Sequence, residues 1–232
     1  MNQLTNIPGN SGDYISAWQA KAGVLVMKTL TMLAVTLCLL GGCASSQTMT
    51  AQDRQRITVI AISSQVKKRD TMDYQGPGQW GNEQASLVAS VVGHGAAGKP
   101  IGEDLQLQAL SNNIYIDKIV RESLASALKT ENKYTLVAEG TPGAYVMAIE
   151  VNLYGFGAPG VLSSTVVPMV KVTCSIGDPT GRIIWRASGQ LLNIYNPIQA
   201  QKPEDLYLNP QLIETSWREA SEIIATKIVK SL

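Results

Sequence analysis

An apolar run that ends in a cysteine decides how much of this 232-residue chain can fold as a globular domain. The run spans residues 30–40, follows a positively charged start at 27–29, and leads into Gly-Gly-Cys at 41–43. A membrane-spanning helix needs about 20 apolar residues, whereas the apolar part of a secretory signal has about 7–15. The run therefore has the length of a signal, and we exclude residues 1–42 from the folded domain.

The end of this run resembles the lipobox of bacterial lipoproteins, with the residues Leu40, Gly41, Gly42 and Cys43. The resemblance implies a signal peptide at 27–42 and a diacylglycerol on Cys43, with a further acyl chain on its new amine. Two or more acyl chains hold a protein stably at a membrane. Residue 44 is alanine and not aspartate, which in the enterobacterial sorting rule implies the periplasmic face of the outer membrane.

A membrane-spanning helix over residues 22–44 is the alternative interpretation of this region. It would place Lys28 inside the span, where a lysine costs roughly 2.5–3.5 kcal/mol on insertion scales. It would also leave the Gly-Gly-Cys ending as an accident. Residues 1–26 precede a better start at Met27, and we interpret them as an extension from a start codon assigned too early.

The charges of the mature chain, residues 43–232, argue against nucleic acid as a partner. Residues 1–42 contain Lys21, Lys28 and Asp13, so the mature chain keeps 17 of the 19 basic and 17 of the 18 acidic residues. Such a balance, without a basic stripe, is not that of a nucleic-acid-binding surface. The length suits one domain.

Few residues of the chain are suited to metal binding or catalysis. His94 is its only histidine, so a zinc site or a Ser-His-Asp hydrolase would depend on this residue alone. Residues 93–99 nearly spell a P-loop, but Pro100 stands where a serine or threonine must bind Mg²⁺. Glu103 and Asp104 are adjacent, which favours a solvated edge over an acid–base pair. We expect no catalytic residue, no metal and no cofactor.

Cys174 is the one cysteine beyond the signal and the lipobox. It cannot form an internal disulfide, although the periplasm would permit one. Because it lies in an apolar strand pattern, we expect a buried and inert thiol. Trp80, Trp185 and Trp217 are interpreted as core or hairpin aromatics.

The spacing of apolar residues divides the mature chain into elements. Residues 43–55 are predicted to be the lipidated cysteine and a flexible tether, followed by a single domain at 56–232. A continuous β-branched run at 57–62 indicates a central strand. Asp178 and Gly181 occupy preferred positions of a type I turn, which predicts a hairpin. Further strands are predicted at 134–138, 144–154, 166–176 and 182–195, and helices at 113–130 and from Asn209 onward.

Residues 64–110 are too long for a connector and are rich in glycine, and we interpret them as an insertion. We expect residues 70–110 to form a partner-facing surface that folding does not require. A short helix that covers the core is the alternative interpretation of its small apolar patch. The predicted partner contacts are the larger members of that patch, Leu87, Val88, Val91 and Val92.

The order of the elements predicts an α/β fold. Helices that cover one face of a mixed sheet give a two-layer sandwich. We expect a mixed, mostly antiparallel sheet of about five strands with two main helices on one face.

This order resembles a family of periplasmic lipoproteins. The family includes the curli-export channel lipoprotein, the penicillin-binding-protein activator lipoproteins and the N-terminal domain of the Tol-system β-propeller protein. The matching parts are the strand at 57–62, the helix and strand at 119–137, the strand at 144–150, and the hairpin at 176–185 with its Asp-x-x-Gly-x-Ile pattern. The resemblance implies no catalytic residues.

We therefore expect a non-enzymatic lipoprotein on the periplasmic face of the outer membrane, acting as an accessory or assembly subunit of a cell-envelope complex. Its partners would be the membrane, through the lipid anchor, and an envelope protein, with a homo-oligomer as a further option. The alternative is an oligomeric secretion-channel or pore-forming lipoprotein. A membrane barrel would need two amphipathic hairpins, and only 144–176 alternates over sufficient length.

Overall fold

The computed structural model describes residues 47–77, 101–160, 162–178 and 180–232. Several residues on which the sequence analysis depends lie outside these ranges. They are the predicted signal, the lipobox with Cys43, Trp80, the apolar patch at 87–92, and His94 with its near P-loop.

Strands and helices follow one another along the described chain in a mixed order. The elements are α1 (Ala51–Arg56), β1 (Val59–Lys68), β2 (Asp73–Gln75), α2 (Ile101–Ser111), α3 (Ile116–Glu131), β3 (Thr135–Val137), β4 (Tyr145–Gly157), β5 (Val167–Gly177), β6 (Ile183–Leu191), α4 (Pro203–Leu208) and α5 (Gln211–Lys230).

The described strands form one mixed sheet in the order β3–β1–β4–β5–β6, and β2 pairs with the far end of β4. β1 lies inside the sheet, as predicted, and is parallel to both of its neighbours. β4, β5 and β6 form an antiparallel meander. α3 and α5 lie side by side against one face. The predicted fold class is confirmed: an α/β fold in two layers, with a mixed sheet and two main helices.

Regular spacing of apolar residues explains why α3 and α5 each bury one face. Asn132, at φ +53°, ends α3 in the left-handed conformation. Gly189 of β6 allows α5 to pack closely, because a Cβ there would lie 2.7 Å from Cγ2 of Ile224. The buried apolar residues are Ile116, Ile119, Val120, Leu124 and Leu128 in α3, and Ile213, Trp217, Ala220, Ile224, Ala225, Ile228 and Val229 in α5.

A β-bulge in β4 changes which of its residues reach the core. The register with β5 shifts between Val151 and Leu153, and Leu153 then lies opposite Lys171. An uninterrupted alternation from Met147 would place Leu153 on the buried face, whereas Tyr154 and Phe156 are the buried residues here. Because the bulge adds one residue to β4, the two faces of the strand exchange at this point.

The predicted hairpin between β5 and β6 is confirmed. The backbone N–H of Gly181 donates to the carbonyl of Asp178 at 2.9 Å, and Gly181 has φ +84°. The Asp178 carboxylate accepts hydrogen bonds from the Thr180 N–H (2.9 Å), the Thr180 hydroxyl (2.6 Å) and the Arg182 N–H (3.0 Å). These bonds fix the turn and thereby the register of the two strands.

The described parts of the predicted insertion contribute side chains to the core, which contradicts the expectation that this stretch forms a surface outside it. Tyr74 of β2 is buried, and Leu105 and Ala109 of α2 are almost fully enclosed. The Gln106 side chain fastens α2 to the strand region, because its Oε1 accepts from the Met72 N–H at 2.9 Å. The high glycine content of this stretch favoured a loop in the sequence analysis, so the short elements β2 and α2 were not predicted.

The predicted flexible tether is ordered in its described part. Gln47 and Arg186 of β6 exchange both backbone hydrogen bonds at 3.0 Å. Met49 is buried in the core, and Thr50 caps α1 by accepting from the Asp53 N–H at 3.1 Å. Burial of Met49 and pairing with the edge strand β6 stabilise this segment. Its polar composition had predicted a flexible tether without regular structure.

Candidate functional site

The structure describes several of the residues that the sequence analysis considered for reactivity or binding, and their burial or position in a helix explains their state. Cys174 is fully buried, and this burial raises the pKa of its thiol to about 12, so the thiol stays protonated and inert. Trp185 and Trp217 are core residues, as expected. Glu103 and Asp104 lie in the first turn of α2, where carboxylates interact favourably with the helix dipole.

No group of three His, Cys, Asp or Glu residues within the described ranges could hold a metal ion. The site residues Leu40, Gly41, Gly42 and Cys43 and the proposed contacts at 87–92 lie outside those ranges. These two predictions therefore stay predictions.

Beside the carboxyl end of β3 lies an open groove of about 230 Å³, which we call the β3 groove. α3 forms one wall, with Ala125, and the segment from Leu136 to Ala138 forms the other. Ile62 of β1 lines the groove between them. Residues that are distant in the sequence meet here because β1 and β3 are parallel neighbours and α3 crosses above them.

Glu139 stands at the rim of the β3 groove and is held by the backbone of β1. Its carboxylate accepts hydrogen bonds from the Ser64 N–H at 2.6 Å and the Ser63 hydroxyl at 3.2 Å. Hydrogen bonds from Ser64, then Ser63, and the charge of Arg121 hold the pKa of Glu139 below its ordinary value. The carboxylate is therefore ionised and fixed in position at neutral pH.

The other side of the rim is tied to α5. Arg218 contacts Glu122 of α3 at 3.1 Å and Glu214 of its own helix at 2.8 Å. Exposed ion pairs of this kind contribute about 0–1 kcal/mol each. Their main effect here is to orient the Glu122 side chain beside the groove.

The size of the β3 groove indicates what it can hold. Pockets for small molecules and cofactors measure about 300–1,000 Å³, and this groove is smaller and open. An apolar floor with a charged rim is the usual anatomy of a protein–protein contact. The groove suits one apolar side chain of a partner protein. Sequence reasoning missed it because no local pattern connects Ile62 with Ala138.

Two loops at the opposite end of the sheet expose a group of apolar side chains, which we call the apolar tip. One loop joins β4 to β5 and carries Leu162, which is 98% exposed. The other follows β6 and carries Leu192, Ile194 and Tyr195, which are 38%, 64% and 99% exposed. Solitary exposed apolar residues are common, but a group of them at one end of a molecule indicates a contact surface.

The loops of the apolar tip are fastened to each other. The Asn193 side-chain amide donates to the carbonyl of Ala158 at 2.8 Å, which joins the second loop to the first. Val166 and Gln201 exchange both backbone hydrogen bonds at 2.8 Å and close the base of the two loops. The tip is thus a defined surface rather than two independent connections.

Tyr195 has a backbone conformation that is rare for an aromatic residue. Its φ is +58°, in the left-handed region, which costs about 1–2 kcal/mol for residues other than glycine. The Asn196 side chain stabilises it by donating to the carbonyls of Pro168 (2.7 Å) and Leu192 (3.0 Å). Strain that is retained in an exposed loop is an observation that points to function.

No protein-family model and no curated protein matches the chain. Among solved structures, it is similar to a PelC dodecamer from Paraburkholderia phytofirmans, with 13% identity over 82% of this chain and 95% of that one and a TM-score of 0.35. A variant of that dodecamer matches at 10% identity over 81% and 94%, with a TM-score of 0.35. Protein XCC0632 from Xanthomonas campestris matches at 11% identity over 79% and 87%, with a TM-score of 0.43.

Likenesses at such low TM-scores support no conclusion about the function of this chain. None of the three structures is named as a curli-export or penicillin-binding-protein activator lipoprotein, so that part of the resemblance stays a prediction. None of the helices in the described ranges has the length and apolar character needed to cross a bilayer.

Proposed function

We propose that this protein is a lipoprotein anchored through Cys43 to the periplasmic face of the outer membrane. It acts non-enzymatically as an accessory or assembly subunit of a cell-envelope complex. The lipobox pattern at Leu40–Cys43 supports the anchor. The β3 groove is the observation that supports action through a protein partner.

The geometry of the β3 groove favours a partner protein over a free ligand. Its apolar floor removes one inserted side chain from water, and burial of about 100 Å² of apolar surface contributes roughly 2.5 kcal/mol. Glu139 is ionised and held in place by Ser63 and Ser64, so it offers a fixed acceptor at the rim without a further loss of side-chain entropy. Such fixed polar groups around an apolar centre give specificity.

A substitution at Ala138 tests this proposal. Ala138 lines the groove and is exposed, so Ala138→Arg fills the groove without disturbing the core. Loss of a central contact of about 2 kcal/mol weakens binding roughly 30-fold. We expect the native protein, cross-linked in cells and purified from membranes in detergent, to retain a partner that Ala138→Arg loses.

The matched control is Thr135→Arg, which places the same side chain on an exposed position of β3 outside the groove. It should retain the partner at the native level. Equal retention by the native protein and by both variants would show that the groove is not the contact. Size-exclusion chromatography of the same samples addresses the secretion-channel alternative, because a channel has to elute as a large ring.

A further inference from the structure

We infer that the apolar tip is the surface through which the domain touches the lipid bilayer, with Leu162, Ile194 and Tyr195 in the membrane interface. This inference rests on the proposed lipid anchor at Cys43. It adds the orientation of the domain on the membrane and the side chains that maintain it.

The pairing of Gln47 with Arg186 shows from which direction the chain enters the domain. The pair is antiparallel, so the backbone at Gln47 runs opposite to β6. β6 itself runs from the hairpin at Asp178 towards the apolar tip. The chain therefore arrives at Gln47 from the tip end of the sheet.

The chain before Gln47 is short enough to keep the anchor close to this end. Cys43 precedes Gln47 by four residues, which span at most ~14 Å when extended. The distance along β6 from Arg186 to its last residue, Leu191, is about 17 Å. The reach of these four residues is therefore comparable with the distance from Arg186 to the tip end of β6.

The distribution of charge also indicates that the tip end of the sheet, and not the hairpin end, faces the membrane. No charged residue occurs at 151–170 or at 187–201, the segments that contain both tip loops. The hairpin at the other end carries Asp178 and Arg182, which form an ion pair at 3.1 Å. A bilayer interface accepts an uncharged apolar surface and disfavours buried charge.

The tip side chains are those that a bilayer interface selects. Leu162 and Ile194 present apolar surface to water in the isolated domain, and burial in lipid removes that surface from water. Tyrosine prefers the interface, where its ring is in an apolar layer and its hydroxyl stays hydrated. The hydrogen bonds of Asn193 and Asn196 already fix the loops, so insertion loses little conformational entropy.

A membrane at the tip leaves the β3 groove accessible from the periplasm. Ile62 at the groove is level with Met147 of β4, which precedes Gly157 at the tip end by ten residues. At about 3.3 Å per residue, the groove lies ~33 Å from that end of the sheet. The domain would thus stand upright and present the groove to a partner away from the bilayer.

Fluorescent labels at single cysteines test this orientation in the full lipidated chain. Leu162→Cys and Tyr195→Cys place a thiol in the tip, and Thr180→Cys places one in the hairpin as a control. Cys174 is buried, so we expect its thiol to stay unlabelled. Each purified protein is labelled with a polarity-sensitive fluorophore and inserted into vesicles of phosphatidylethanolamine and phosphatidylglycerol, with or without a quencher on the lipid tails.

We expect labels at 162 and 195 to shift to the blue and to lose emission to the lipid quencher, while the label at 180 does neither. Unquenched labels at 162 and 195 on a protein that floats with the vesicles would overturn the inference and leave the anchor intact. Equal quenching at all three positions would overturn it as well. Intact mass and flotation report the anchor separately: an unacylated protein that does not float would refute the proposed function and this inference with it.

Discussion

The carboxylate of Asp178 in the β5–β6 turn makes the stability of the domain depend on pH. Hydrogen bonds from Thr180 and Arg182 lower the pKa of its carboxyl from the ordinary 3.8 to about 2. A carboxyl with a lowered pKa stabilises the fold above its ordinary pKa, and this contribution is lost as the pH falls through about 2. We expect Asp178→Ala to lower the melting temperature at pH 7, with a difference from the native protein that shrinks between pH 4 and pH 2.

Thermal melts at several pH values measure this difference directly. A difference that is the same at pH 7 and pH 2 would show that the carboxylate charge does not act at the turn. Asp178→Asn separates charge from shape, because the amide can still accept hydrogen bonds. Its deficit at pH 7 should be smaller than that of Asp178→Ala.

The contribution of α2 to stability can be measured by substituting two of its leucines, one buried and one exposed. Leu105 is fully buried, whereas Leu107 is 48% exposed. Leu→Ala substitutions in a core cost about 2–5 kcal/mol, while exposed positions change stability by about 0.5 kcal/mol or less. We expect Leu105→Ala to lower the free energy of unfolding by that core amount and Leu107→Ala to leave it nearly unchanged.

Denaturant unfolding of the two variants decides whether α2 belongs to the core. Equal, small effects at both positions would restore the interpretation of this region as dispensable for folding. A large effect at Leu105 alone would confirm that the described part of residues 64–110 is structural. That result would leave the predicted contacts at 87–92 untested, and the β3 groove remains the proposed surface for a partner.

The attachment of the whole molecule to the membrane depends in our proposal on one of two nearby cysteines. Cys43→Ser removes the residue that would be acylated, and we expect a soluble or unprocessed protein. Cys38→Ser is the matched control, because this residue leaves with the signal and should affect neither membrane fractionation nor intact mass. If Cys43→Ser stays in the membrane fraction with an unchanged mass, the anchor does not exist.

Local patterns in the sequence sufficed for the fold class and for several single residues. The spacing in α3 and α5, the β-branched run of β1 and the turn residues at Asp178 and Gly181 each act over fewer than about ten neighbours, and each was predicted. Cys174 was predicted to be buried because its neighbours in the strand are apolar. In all these cases the information that predicts the structure lies in residues that are close together in the sequence.

Contacts between distant residues decided everything else. The bulge in β4 buries Tyr154 and Phe156, whose rings pack against Trp217 with centroids 5.6 Å and 6.0 Å away. Trp217 belongs to α5, so the pattern of residues within β4 could not predict this contact. Gly155 is required because a Cβ there would lie 1.8 Å from the carbonyl oxygen of Asp73, a neighbour that only the parallel pairing of β2 with β4 provides.

The two candidate surfaces depend on tertiary structure for the same reason. The β3 groove joins residues of β1, α3 and β3, and the apolar tip joins two loops that lie far apart in the sequence. The sequence by itself determined the lipobox pattern, the uncharged character of the tip loops and the order of the main elements along the chain. Only the tertiary structure decided that those loops meet at one end of the sheet, since their contact depends on the register of β4, β5 and β6.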